Sequence, residues 1–137
     1  MKIFFIFFIL IASLNSCNKT GNVNTALSGT YTGNFQSFTG ILGGTKYPVQ
    51  ITFTGNNFNG DSSSFDYQSI CKGTYLHTNS SDSIQFVNGC IFPAIFIFRT
   101  FILDGSYKMI RKGDSLYFRR TIGDLVYEEE VYSLRKQ

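Results

Sequence analysis

Apolar and polar residues alternate along much of this chain, with the period of two that is typical of β-strands buried on one face. The segment 47–54 shows it most clearly, because Tyr47, Val49, Ile51 and Phe53 are separated by polar residues or proline. Nowhere does the apolar spacing of an amphipathic helix persist for ten residues. The pattern therefore predicts an all-β domain.

Turn sequences rich in Gly, Asn and Asp separate these segments. The Asp104-Gly105 pair between two apolar stretches predicts a tight hairpin, since a type I′ turn needs positive φ at both central residues. Strands joined by short turns form an antiparallel up-and-down meander, which loses its exposed edges when about eight strands close into a barrel. The predicted strands are 29–36, 47–54, 57–60, 71–77, 83–88, 95–103, 106–111, 114–120 and 125–135.

The first seventeen residues predict export. Lys2 is followed by an apolar run over 3–14 and then by Leu-Asn-Ser-Cys at 14–17, the layout of a secretory signal. The run is shorter than the ~20 residues of a spanning helix. Leu-x-Ser-Cys resembles the lipobox of bacterial lipoproteins. The resemblance implies cleavage before Cys17 and acylation of that residue, whereas an ordinary secretory signal would leave Cys17 free.

We accordingly divide the chain into a signal peptide (1–16), a lipidated Cys17 with a polar tether (17–26) and a barrel domain (27–137). The expected location is the bacterial cell envelope, on the outer membrane, with the membrane as a partner through the lipid. Basic residues are scattered along the sequence, which is a poor pattern for nucleic-acid binding. We expect a monomer.

Cys71 and Cys90 are the two cysteines beyond the predicted anchor, and disulfides are the usual state of paired cysteines in exported proteins. A turn centred on 80–81 pairs residues whose numbers sum to 161, which places Cys71 opposite Cys90 on adjacent strands. Opposed residues have the Cβ separation that a disulfide requires. Their long spacing argues against a redox-active Cys-x-x-Cys pair.

The sequence Leu-Ser-Gly-Thr-Tyr at 27–31 resembles the start of the first strand in lipocalin-like, or calycin, barrels, with Tyr31 in place of their tryptophan. Segments 103–107, 113–116 and 132–135 are similar to the C-terminal half of small lipoproteins of that shape in Bacteroidota. The resemblance implies a lipocalin-like barrel. It also implies that Arg135 packs across Tyr31 in a cation–π contact that closes one end.

No pattern of catalytic residues is present, and we expect a protein that is not an enzyme and needs no metal or cofactor. His77 is the single histidine, and a zinc or iron site would lack ligands. The acidic run 128–130 lies beside Arg119 and Arg120 of the preceding strand, which indicates cross-strand charge pairing.

A small apolar or amphipathic ligand in the barrel lumen is the function that we predict first. The alternative is a protein-interaction or inhibitor module of the envelope that acts through loops and the segment 91–98, which is apolar on both faces. That segment could instead be a covered strand or a source of aggregation during folding. The side chains predicted to line the lumen are Tyr47, Ile51, Phe53, Tyr75, Phe86, Tyr107 and Phe118.

Overall fold

The computed structural model describes residues 26–62, 68–77, 82–91, 101–123 and 128–137, and these residues form ten strands. In chain order the strands are β1 (Gly29–Thr39), β2 (Leu42–Thr54), β3 (Asn57–Ser62), β4 (Gln68–Ser69), β5 (Lys72–His77), β6 (Ser83–Asn88), β7 (Phe101–Ile102), β8 (Gly105–Lys112), β9 (Ser115–Ile122) and β10 (Glu128–Lys136).

Eight of these strands form a closed antiparallel barrel in the order β1-β10-β9-β8-β6-β5-β3-β2. Each barrel strand pairs with its neighbour in the chain once β4 and β7 are set aside, and β1 pairs with β10 to close the sheet. The predicted all-β meander barrel is confirmed. Closure leaves none of the eight strands as an unpaired edge, which is the physical advantage of this arrangement.

The antiparallel order gives the barrel two distinct ends. The end that we call the lower end contains the turns after β2 and β8. It also contains residues 26–28, which lead into β1, and the C-terminal Gln137. The upper end carries the β1–β2 turn and the connections that follow β3, β6 and β9. Strand β4 lies in the β3–β5 connection and strand β7 in the β6–β8 connection, and the two strands pair in parallel at the upper end.

The core lies inside the barrel because the alternating apolar residues point inward, as the period-two pattern predicts. Tyr31 and Phe35 of β1 and Tyr132 of β10 are fully buried. Leu27 precedes the first strand and is also fully buried. Apolar burial of this kind is the main favourable contribution to folding.

Strand boundaries match the predictions best where alternation is strongest. Strand β6 covers 83–88 as predicted, and the pairs Gly73↔Asn88 and Tyr75↔Phe86 have the predicted sum of 161. The β1–β2 hairpin is longer than predicted because the glycine-rich stretch before Tyr47 also pairs with β1. Backbone hydrogen bonding extends these strands where side-chain alternation gives no signal.

The Asp104-Gly105 hairpin prediction is wrong. Gly105 has the positive φ of 85° that a turn would need, but it is the first residue of β8. Strand β7 pairs in parallel with β4, whereas β8 pairs with β6 and β9. The apolar stretch before Asp104 therefore does not fold back on β8, and the part of its predicted strand at 95–100 lies outside the described residues.

Candidate functional site

The predicted lumen residues all belong to barrel strands. Tyr47 is partly buried and packs on the edge of the core, while the other six are at least 97 % buried. The inward orientation of these side chains is what the alternation predicts. The six are Ile51, Phe53, Tyr75, Phe86, Tyr107 and Phe118.

Phe86 lies at the centre of this set and contacts rings from several strands. Its ring centroid is 5.3 Å from that of Phe118 and 5.7 Å from that of Tyr107. On the other side it is 5.2 Å from Phe58 and 6.4 Å from Phe53. Aromatic pairs interact favourably at these centroid separations. The rings therefore fill the barrel at this level.

The hydroxyl of Tyr75 fixes the chain where it enters the barrel at the lower end. It accepts a hydrogen bond from the Leu27 amide at 2.6 Å and lies 2.7 Å from the Gly55 carbonyl oxygen, to which it donates. Burial raises the pKa of Tyr75, so the hydroxyl stays neutral and can serve as both donor and acceptor. Leu27 is thereby held as an apolar plug at the lower end.

A buried polar cluster of Tyr107, Arg120 and Glu130 lies toward the upper end. Glu130 is 1 % exposed, and its Oε2 atom is 2.7 Å from the Arg120 Nε donor. The Tyr107 hydroxyl donates to the same oxygen at 2.9 Å. The Arg120 guanidinium carbon lies 4.8 Å from the centroid of the Tyr107 ring, which adds a cation–π contact.

Arg120 also connects this cluster to the β6–β8 connection. Its guanidinium donates to the backbone oxygen of Ile102 at 3.3 Å and to that of Asp104. Burial lowers the pKa of Arg120, but the Glu130 carboxylate and its hydrogen bond more than offset this, so the pKa is raised overall. The guanidinium is a permanent cation with most of its donors engaged. We assign the cluster a structural role at the upper end.

Burial raises the pKa of Tyr107 strongly, and the nearby Tyr132 and Glu130 raise it further. A neutral phenol beside a carboxylate is a hydrogen-bond donor, and here it has its acceptor within reach. Tyr107, Arg120 and Glu130 thus interact directly with one another inside the barrel. The chemistry of this cluster is that of a satisfied hydrogen-bond network, which gives positional rigidity.

The predicted charge pairing between β9 and β10 is confirmed, with a difference in depth. Arg119 bonds Glu129 at 3.1 Å on the outer face, whereas Arg120 bonds Glu130 in the interior. The sequence itself indicates that Glu130 faces inward, because Glu130 alternates with Tyr132 and Leu134 on the same face of the strand. A carboxylate on an apolar face indicates a buried partner.

The predicted closing pair of Tyr31 and Arg135 is not formed. Tyr31 is fully buried in the interior, whereas Arg135 is exposed on the outer face and pairs with Thr32. Lys136 is the residue opposite Tyr31 in the ladder. The family resemblance assigned the basic residue of this pair to position 135, whereas the residue opposite Tyr31 is at position 136. A shift of one residue along a strand moves the side chain to the other face of the sheet.

The predicted disulfide between Cys71 and Cys90 is present, with the two Cα atoms 6.3 Å apart. It joins the β3–β5 connection to the start of the β6–β8 connection, the same two segments that β4 and β7 bring together. The predicted signal peptide, Cys17 and residues 18–25 lie outside the described residues. The described chain begins at Ala26, at the lower end.

Several exposed apolar side chains lie at the upper end. Ile41 at the β1–β2 turn and Ile91 after β6 are both 99 % exposed, and Leu42 is 74 % exposed. Ile122 at the end of β9 is 36 % exposed. Of the apolar segment 91–98, Ile91 is described and 92–98 is not. The exposure of Ile91 is the one observation that bears on the predicted interaction surface of that segment.

Tyr31 has a buried hydroxyl with no hydrogen-bond partner among the described residues. A buried polar atom of this kind loses solvation unless a water or a ligand reaches it. Its ring packs edge-on against Phe53 with centroids 5.6 Å apart. The hydroxyl is the interior atom that a small polar group would satisfy.

The described residues contain no group of three His, Cys, Asp or Glu side chains that could hold a metal ion. They also contain no helix long and apolar enough to cross a membrane. Comparison of the chain with protein-family models, with curated proteins and with solved structures gave no match.

Proposed function

We propose that this chain is an exported, lipid-anchored and non-enzymatic barrel protein that binds a protein partner through its upper end. The observation that carries the proposal is the group of exposed apolar residues at that end: Ile41, Leu42, Ile91 and Ile122. Exposed apolar side chains in a group mark contact surfaces more often than those scattered singly.

The ladder connects two of these residues, Ile122 and Leu42. Ile122 pairs with Glu128, Glu128 pairs with Thr39, and Thr39 pairs with Leu42. Ile41 is next to Leu42 at the hairpin tip. The apolar residues thus belong to one row of the barrel rim, although they come from distant parts of the sequence. A row of this kind provides a continuous contact area for another protein.

The proposed lipid anchor also supports a contact surface at the upper end. A tether attached at the lower end leaves the upper rim at the far end of β1, an 11-residue strand of about 35 Å at ~3.3 Å per residue. The rim is therefore accessible to a partner while the chain is attached to the membrane. Lipidation at Cys17 is part of this proposal, and a Cys17→Ser change that leaves the protein attached to membranes would contradict it.

Site-specific photo-crosslinking in cells that make the protein naturally tests the partner. A photoreactive phenylalanine analogue at Ile41 or at Ile122 should give the same discrete adduct, because both belong to the row that the ladder connects. The analogue at Leu76, which is 52 % exposed on β5, is the matched control and should give none.

A second change makes this test specific. Leu42→Asp should abolish the adduct formed from position 41 without lowering the melting temperature, since Leu42 is mostly exposed. Adducts that are equal at positions 41, 122 and 76, or that survive Leu42→Asp, would show that the upper end is not the contact surface.

A small ligand in the lumen is the second candidate function, and the unpartnered Tyr31 hydroxyl favours it. The molecule would place a polar atom near Tyr31 and apolar atoms against the aromatic rings. Native mass spectrometry of the mature chain, purified without added lipid, tests this candidate. A bound small molecule that is lost in Tyr31→Phe would support it, and a bare protein mass would contradict it.

A further inference from the structure

Four basic side chains that are scattered in the sequence gather on one side of the barrel. Lys108 of β8 pairs directly with Arg119 of β9, and both point outward. Nearer the lower end, Lys112 pairs with Ser115, which in turn pairs with Arg135 of β10. These four residues make up what we call the basic wall: Lys108, Lys112, Arg119 and Arg135.

The basic wall surrounds an apolar centre. Ile110 is 56 % exposed and pairs with Tyr117, which is partly buried on the outer face. Two surface depressions of about 390 and 380 Å³ meet at these two residues. Lys112 and Arg135 line the first depression. Lys108 and Arg119 line the second.

The acidic side chains at this wall are few. Asp82 lines the second depression, and Glu129 bonds Arg119 at 3.1 Å. Asp114 lies in the turn between Lys112 and Ser115. Four basic residues against these three acidic ones leave a small excess of positive charge on the wall. Positive charge around a partly buried aromatic and an exposed aliphatic side chain is complementary to a surface that is anionic outside and apolar beneath.

We propose that the basic wall docks on the anionic surface of the membrane to which the chain is tethered. This inference rests on the lipid anchor of the proposed function. Thr32 lines the first depression and lies on β1, close to where the chain enters the barrel. The tether of residues 18–26 spans at most about 30 Å at ~3.4 Å per residue, so it keeps the wall near the bilayer.

The docked arrangement gives each group a specific place. Lys112, Arg135 and Lys108 contact lipid phosphates, and Tyr117 lies at the headgroup level, where amphipathic aromatic rings are favoured. A basic patch also strengthens attachment through a lipid chain, because stable anchoring takes two signals. In this orientation the barrel lies on its side, and the apolar upper end points along the membrane plane toward a neighbouring protein.

Tryptophan fluorescence provides a direct test because the chain contains no Trp. Tyr117→Trp places a single reporter in the wall, and Leu76→Trp places a matched one on the outer face of β5, which is 52 % exposed. The complete lipid-anchored protein is inserted into vesicles of phosphatidylglycerol or of phosphatidylcholine. Quenching by acrylamide, a neutral molecule, then reports the exposure of each reporter.

We expect quenching of the reporter at position 117 to fall about three-fold in phosphatidylglycerol vesicles relative to phosphatidylcholine, and to recover in 1 M salt, which screens the charges. The reporter at position 76 should be quenched equally in both. Adding Lys108→Gln, Lys112→Gln and Arg135→Gln should remove the protection. Lys46→Gln with Lys72→Gln, both at exposed positions outside the wall, should leave it unchanged.

The possible failures are distinguishable by flotation. A protein that floats with the vesicles but shows equal quenching at position 117 in both lipids overturns the docking and leaves the anchor standing. A protein that does not float overturns the anchor and the docking with it. Protection of position 117 by soluble polyglutamate, without protection by anionic vesicles, would instead assign the wall to an acidic macromolecule and overturn the membrane proposal.

Discussion

Glu129 and Glu130 are consecutive residues with the same side chain and different environments. Glu129 bonds Arg119, whose side chain is 49 % exposed, whereas Glu130 is 1 % exposed and bonds Arg120 and Tyr107. Exposed ion pairs contribute little because water screens them, while loss of one member of a buried pair leaves an uncompensated charge. The alternation of a single strand therefore decides the energetic weight of each carboxylate.

Glu130→Gln is expected to lower the free energy of unfolding by about 2–3 kcal/mol. This is below the full ~3–5 kcal/mol of a completely buried pair because the Arg120 side chain retains 23 % exposure. Glu129→Gln is the matched control and should cost no more than about 1 kcal/mol. Urea unfolding monitored by circular dichroism measures both. Equal losses for the two variants would contradict the assigned role of the cluster.

The burial of Tyr107 leads us to predict that the free energy of unfolding falls at alkaline pH. Burial raises its pKa in the folded protein above that of the unfolded chain, near 10. The stabilisation is complete below that pH, and it is lost as pH rises further because the unfolded chain releases the proton first. Tyr75 contributes in the same direction.

We therefore expect the urea midpoint to fall between pH 9.5 and 11, and Tyr107→Phe to reduce the slope of that fall. Denaturation series at pH 8, 9, 10 and 11 for both proteins provide the measurement. If the slope in Tyr107→Phe equals that of the unmodified chain, burial of the phenol is not the source of the fall at alkaline pH.

At the scale of the element, β1 shows why a glycine lies in the middle of a strand. A Cβ atom built on Gly33 would be 2.0 Å from the backbone oxygen of Ser133 on β10. Backbone atoms cannot move aside as the end of a flexible side chain can. The close approach of β1 and β10 at the closing seam of the barrel thus requires glycine at this position.

Gly33→Ala should destabilise the barrel by about 1–3 kcal/mol, the usual cost of overpacking. Asn34→Ala, at the next and exposed position of the same strand, should change stability by less than about 0.5 kcal/mol. Thermal unfolding of the two variants beside the unmodified chain measures the difference. A Gly33→Ala protein with an unchanged melting temperature would show that the seam is wider than described.

At the scale of the whole molecule, three features hold the connections at the upper end in place. The Cys71–Cys90 disulfide and the β4–β7 pair join the β3–β5 and β6–β8 connections, and Arg120 bonds the backbone at Ile102 and Asp104. The disulfide closes a loop with a sequence separation of 19. For a loop of that length, the chain-entropy relation predicts a stabilisation of about 3 kcal/mol.

Reduction of the disulfide should therefore lower the free energy of unfolding by about 3 kcal/mol, measured by urea unfolding with and without reductant. The double change Cys71→Ser with Cys90→Ser is the control, because its stability should be low and insensitive to reductant. A sensitivity to reductant in that variant would show that the effect does not come from this disulfide.

The local alternation of apolar and polar residues was sufficient to predict most of the barrel strands. Strands β5, β6, β8 and β9 lie within two residues of their predicted bounds, because period-two burial acts on consecutive residues. The Cys71–Cys90 pairing was also predictable, since one short turn sets the register of β5 and β6. The Asp104-Gly105 turn was not, because strand β7 has its partner in β4, more than 30 residues away.

The sequence predicted only part of the site. It identifies the aromatic residues that point inward, because alternate residues of a strand point to the same face. It could not show that Phe86 contacts rings from other strands across the interior, since these distances depend on how the sheet curves and closes. The Tyr31–Arg135 pair failed for a related reason: the ladder sets Arg135 on the outer face, opposite Thr32.

The sequence by itself therefore determined the all-β class, the meander order and the disulfide, because short-range alternation and short turns encode them. The tertiary structure alone decided the burial of the Tyr107, Arg120 and Glu130 cluster, the apolar upper rim and the basic wall. Each of these brings together residues from separate strands. Their proximity depends on the closed register of the barrel, which is a property of all eight strands together.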